Sequence, residues 1–332
     1  MKTRHIFFVL VLSGLAICIA SCGSKQPSAL LQEPRTNIID SLQLIVAEEV
    51  EAQMATNQAE CACAVLINKE GQIVAKVETN PDVLNATDEA EIGSIVIPFS
   101  ILAAHRCVPE IDSSSTVTIA KQGYYSSEVH IRDSHPMDTT LSVRDVIAIS
   151  SNKGVCQLLQ DGPCADFEQC FCEMGIPNET HDHSTMLYHA IGIDISTSPI
   201  HIAWLYHCLA QDLFPDEWDV ASSGVMEGLH DCVWNNDLGT ASVRKWGDLI
   251  VRYKAQSQQI PIMGKTGTLC MDSTGKKHRI SFVGIFPEDD PQYTCLVIFH
   301  APQNFPLYDA GYDCGSTVRR IATRIFPSAP HF

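Results

Sequence analysis

The feature that most restricts how this 332-residue chain can fold is the position of its β-rich runs. Two of them, Cys61–Asn68 and Gln72–Glu78, flank Lys69-Glu70-Gly71 in the pattern of an antiparallel hairpin. The pattern returns only near the far end, at Met263–Cys270 and then at 280–286 and 293–299 around Glu288-Asp289-Asp290-Pro291. Between the two groups the chain reads as helical, over 94–106, 142–159, 166–174 and Pro199–Ala210, with a last helix at Ser316–Ile325. Pro199 directly after Ser198 suits a helix start, because proline at the first helical position loses no hydrogen bond. A first helix is expected over 37–53, where Ile38, Ile39, Leu42, Ile45, Val46 and Val50 recur at helical spacing and Glu48, Glu49 and Glu51 take the polar side. Strands at both ends with a helical insert predict one α+β body over 37–332, its antiparallel sheet assembled from N- and C-terminal segments. Neither a linker nor an internal repeat divides it.

The N-terminus has a different character. A cationic start at Lys2 and Arg4 precedes an apolar run from Ile6 to Ile19, short for a membrane span and typical of a secretion signal. It stops at Ile19-Ala20-Ser21-Cys22-Gly23, which resembles a bacterial lipobox. Residues 1–21 are therefore read as a lipoprotein signal and Cys22 as the lipidated new terminus. Residues 22–36, with Gly23, Ser24, Pro27, Ser28 and Pro34, are read as the tether. This places the protein in the bacterial cell envelope, held to a membrane through the lipid. A net charge of −17 disfavours nucleic acid, and no basic run offsets it. Fourteen cysteines, less Cys18 and Cys22, leave an even number compatible with disulfides. Cys61-Ala62-Cys63, Cys170-Phe171-Cys172 and His181-Asp182-His183 have the look of metal pairs. They read better as strand-face or core thiols and as a solvated loop, so no metal or cofactor is implied. Trp204, Leu205, Tyr206 and Leu209 read as core.

Three short motifs carry the chemistry: Gly93-Ser94-Ile95-Val96-Ile97-Pro98 opening a helix, Ser150-Ser151-Asn152 in a helical region, and Lys265-Thr266-Gly267-Thr268 on a strand. In this order they resemble the serine, S-x-N and K-T-G motifs of penicillin-binding proteins and serine β-lactamases. Ile131-Arg132-Asp133-Ser134-His135 ahead of the second motif and Ser281-Phe282-Val283-Gly284-Ile285-Phe286-Pro287 after the third are similar to the class B transpeptidases. The resemblance spans roughly Cys61 to the C-terminus and implies a β-lactamase/transpeptidase-like fold. It implies Ser94 as the nucleophile position, Ser150 and Asn152 as proton relay and amide holder, and Lys265, Thr266, Gly267 and Thr268 as the strand that binds substrate backbone and carboxylate. The implied oxyanion hole is the backbone N–H of Ser94 and Thr268. Larger members carry an N-terminal pedestal and a transmembrane helix, which this sequence is expected to lack; that favours an accessory role.

One position departs from the pattern. A serine hydroxyl needs a base within reach, which the family supplies as a lysine three residues on, on the same helix face. Here Ile97 stands at that position and neither accepts nor donates a proton. Losing general-base help costs roughly 10²–10⁴-fold in rate. Lys153, in Ser150-Ser151-Asn152-Lys153, and Lys276, in Ser273-Thr274-Gly275-Lys276, also read S-x-x-K but in the wrong settings, and His105 and His135 are further candidate substitutes. Ser94 can also be read as a plain helix cap.

Two functions are thus expected. The first is a catalytically impaired transpeptidase-like lipoprotein, a pseudoenzyme that recognises peptidoglycan D-alanyl stem peptides or β-lactams, alone or beside cell-wall synthesis proteins. The alternative is an active acyl-serine D,D-transpeptidase or carboxypeptidase, or a β-lactamase-like enzyme or sensor, that uses another base.

Overall fold

The computed structural model describes residues 29–108, 110–177, 182–242, 260–303 and 309–327, and the backbone of a small strand pair at Lys245–Trp246 and Leu249–Ile250. Residues 1–28, with the expected signal segment and Cys22, lie outside the described residues, as do Glu179 and His181.

The main sheet has six strands: β1 (Arg35–Thr36), β2 (Cys61–Asn68), β3 (Gln72–Glu78), β4 (Met263–Cys270), β5 (His278–Phe286) and β6 (Tyr293–His300). Their spatial order is β1-β3-β2-β6-β5-β4, so the hairpin from one end of the chain pairs through β2 and β6 with the strands from the other. Every pairing is antiparallel except β1 with β3. Helices cover both faces. Cys63, Val65, Ile67, Val283, Ile285, Leu296 and Ile298 bury against the helical insert. Ala62, Ala64, Leu66, Phe282, Val297 and Phe299 bury against α1 (Asp40–Asn57) and α9 (Ser316–Ile325). This two-sided burial explains why β2 reads as the unbroken apolar run Cys-Ala-Cys-Ala-Val-Leu-Ile rather than as an alternation. Cys61 and Cys63 are simply small side chains on the insert face, and burial pushes the Cys63 thiol up to about 12.

The insert supplies α2 (Ile97–Cys107), α3 (Val143–Ile149), α4 (Asn152–Leu158), α5 (Cys164–Glu173), α6 (His183–Ala190), α7 (Pro199–Ala210) and α8 (Val225–Trp234). Pro199 does sit at the first helical position, behind a Ser198 side chain that accepts from the His201 N–H. Trp204, Leu205, Tyr206 and Leu209 lie in the core.

Several expectations need correction. The helix expected over 142–159 is two helices. Ser150 adopts a left-handed conformation, φ 59°, and Ser151 caps α4 by accepting from the Gly154 N–H. The first helix begins later than expected, because the Asn37 and Ile39 N–H groups bond to Ile73 and Val74 carbonyls and hold that stretch extended beside β3. Of the segment 22–36 read as a tether, the described part docks on the body: Ala29–Leu31 form a 3-10 turn, Leu30 is buried, and the Trp204 Nε1–H donates to the Ala29 carbonyl at 3.0 Å. His183 opens α6, and Asp182, read as part of a solvated loop, is its cap. The described cysteines, twelve of them, are free thiols rather than disulfides.

Candidate active site

Ser94 lies in a 3-10 turn, Gly93–Val96, that runs straight into α2. Gly93 has φ +60°, a conformation that side chains disfavour. The turn is clamped from two sides. The buried Tyr206 hydroxyl donates to the Ile95 carbonyl at 2.7 Å, and its ring meets Phe99 edge-on at 5.1 Å. Gly192 approaches so closely that a Cβ there would lie 2.1 Å from the Gly93 oxygen. Ser94 itself is half-buried, and among the described residues its hydroxyl has no hydrogen-bond partner. Ile97 is fully buried in the core of the insert side.

The K-T-G strand is β4, which stands at the end of the strand order and pairs on one side with β5 among the described residues. The need for glycine at 267 is steric. A Cβ there would stand 2.5 Å from Ser281 Oγ and 2.8 Å from Ile95 Cγ2, so Gly267 lets the Ser94 turn lie against the strand. A Cβ at Gly93 would lie 3.5 Å from the Thr268 carbonyl oxygen, which brings the backbone of the Ser94 turn beside the exposed Thr268.

Lys265 faces the insert, opposite Val283 in the register. It is fully buried, and its ammonium donates to Ser150 Oγ at 2.8 Å and to the Thr266 carbonyl at 2.8 Å. Desolvation lowers its pKa to about 8. The left-handed corner at Ser150 is what turns that hydroxyl to the strand. Thr266 points to the other face, opposite Phe282, where its hydroxyl bonds Thr240 Oγ1 at 2.6 Å. Thr240 reaches on to the Ala148 carbonyl at 3.3 Å, so Thr266 ties the strand to α3.

Asn152 starts α4. Its Nδ2 donates to the Arg132 carbonyl at 2.9 Å, and its buried Oδ1 has no donor among the described residues. The Ile131-Arg132-Asp133 segment buttresses this corner, because Asp133 Oδ1 accepts from Ser151 Oγ at 3.1 Å and from the Lys153 N–H at 3.0 Å. Burial raises the Asp133 pKa against those bonds. The sequence motif pointed to this segment, but the acid's role became visible only with the fold.

The substitute bases stand elsewhere. Lys153 Nζ is spent on the Ala120 and Gln122 carbonyls, at 3.0 and 3.3 Å. Lys276 is exposed in the β4–β5 turn organised by Asp272. His105 lies near the far end of α2 against the Ile111 carbonyl. His135 is half-buried in the segment ahead of α3.

No protein-family model matches the chain, nor does any curated protein sequence. Solved structures do. The apo transpeptidase domain of penicillin-binding protein 3 from Burkholderia pseudomallei is 19% identical with a TM-score of 0.73, covering 94% of this chain and all of that one. A peptidoglycan glycosyltransferase from Burkholderia ambifaria is 20% identical with a TM-score of 0.72, covering 89% of this chain and 98% of that one. An edge strand carrying Lys265, a turn carrying Ser94 and a corner carrying Ser150 and Asn152 sit in a mixed α+β architecture that matches these structures over most of the chain: it has the fold of a penicillin-binding protein transpeptidase domain.

Proposed function

We propose that this protein is an envelope lipoprotein that binds peptidoglycan D-alanyl stem peptides, and β-lactams that imitate them, along β4 beside the Ser94 turn and the Ser150–Asn152 corner, with Ser94 chemistry largely lost. One observation carries this reading: Lys265 on the edge strand β4 is bonded to Ser150, while Ile97 is buried in apolar core and, among the described residues, no side chain hydrogen-bonds the Ser94 hydroxyl. Cys22 as a diacylated anchor, a tethered accessory role and contacts with cell-wall synthesis proteins are part of the proposal and rest on the sequence.

A second reading is favoured by the lowered pKa of Lys265. A neutral Lys265 can accept the Ser150 proton while Ser150 takes that of Ser94, so that Ser94 Oγ bonds the acyl carbon and the leaving amine departs with a proton. Acylation by this route rises towards pH 8 and then levels.

Intact-mass spectrometry after incubation with a reactive penicillin separates the two. The binding reading expects no adduct on the wild type and one on Ile97→Lys, with thermal melts confirming that both are folded. A wild-type adduct that disappears in both Ser94→Ala and Lys265→Met overturns it in favour of the relay.

A further inference from the structure

Cys107 ends α2, the helix that continues from Ser94, and Cys170 lies in α5. Their sulfurs are 3.6 Å apart and share a hydrogen bond, although 63 residues separate them in sequence. Cys107 is partly exposed and Cys170 is buried. Arg106, ion-paired with Glu173, sets its charge beside Cys170. The bond from Cys107 holds the Cys170 thiol below its ordinary range, with the Arg106 charge acting in the same direction, and the same bond together with burial pushes the Cys107 thiol up.

We propose that Cys107 and Cys170 form a reversible disulfide that clamps the serine-bearing helix α2 to α5. The sulfurs must approach from 3.6 Å to the ~2 Å of a disulfide. The oxidant is a low-molecular-weight disulfide such as oxidised glutathione. Cys107, the partner that solvent reaches, attacks one sulfur of that disulfide as its shared proton passes to the Cys170 sulfur, which then gives that proton up to solvent. A Cys107–glutathione bond forms and one glutathione leaves as thiolate. The Cys170 thiolate then attacks the Cys107 sulfur, the second glutathione leaves, and the two protons given up by the protein thiols end on the two glutathiones. Two protein thiols are thereby oxidised by two electrons and one small disulfide is reduced to two thiols. Of the two sulfurs, Cys170 is the better resolving thiolate and the worse target for a bulky reagent.

The test uses the full chain incubated with oxidised glutathione, quenched with N-ethylmaleimide and digested without reduction. The expected result is a peptide pair joined through Cys107 and Cys170 that separates on reduction. The oxidised protein should melt on the order of 5–10 °C higher, because the cross-link closes a long loop in the unfolded chain. In Cys170→Ser a mixed disulfide should accumulate on Cys107. The proposal is overturned if both sulfurs are recovered as maleimide adducts, if wild-type Cys107 stops at the glutathione mixed disulfide, or if either cysteine is joined to a different partner.

Discussion

At the scale of single residues, Lys265 is the most consequential side chain described. A fully buried ammonium whose pKa falls from 10.5 to about 8 makes the folded state bind fewer protons than the unfolded chain between those pH values. Stability from this group therefore rises with pH across that window, and below pH 8 the full cost of burying the charge is felt. The shift corresponds to about 3 kcal/mol. Lys265→Met should accordingly be more stable than wild type at neutral pH, with the gap narrowing above pH 8; denaturant titrations at several pH values check this, and a gap that widens rejects it. Ser94, Ser150, Asn152 and Lys265 could be singled out in the sequence because each sits in a short motif. The Lys265–Ser150 bond could not, because it joins residues 115 apart in a chain whose pairing only the sheet determines.

At the scale of elements, strands were easier to read than helix breaks. Cys61–Asn68, Gln72–Glu78 and Met263–Cys270 are bounded by turn residues and match their expected limits. The break between α3 and α4 escaped because a serine, not a glycine, takes the left-handed position, which nothing in the local pattern signals. Helix α8 escaped because it follows Gly224 at φ +75° with no capping side chain and carries Gly228, which a sequence reader takes for a breaker. In the fold Gly228 is there for contact, since a Cβ would stand 2.6 Å from Ile147. Two predictions belong here. Ser151→Ala removes the cap of α4 and a donor to the buried Asp133, and should cost about 1–3 kcal/mol in chemical denaturation; an unchanged midpoint sinks the capping argument. Gly267→Ala should push the Ser94 turn away from β4 and abolish penicillin labelling of an Ile97→Lys background while leaving the fold intact by circular dichroism. Retained labelling would mean that the turn and strand need not touch.

At the scale of the whole molecule, the sheet buried on both faces explains why strands from the two ends of the chain and a long helical insert make one body. The Ala29–Leu31 turn extends that body towards the N-terminus. Leu30, 1% exposed against the insert, should cost about 2–5 kcal/mol when replaced by alanine, measured by denaturation; a loss below 1 kcal/mol would show that this turn is only loosely seated. The docking of Ala29 on Trp204 also sets a distance. If Cys22 carries lipid as proposed, only six residues lie between the anchor and Ala29, the point docked on α7, and an extended chain spans at most about 25 Å over those seven steps. The protein would then be moored rather than tethered: it would sweep a thin shell above the bilayer with the α7 side turned to the lipid, and would meet only ligands that come within that shell.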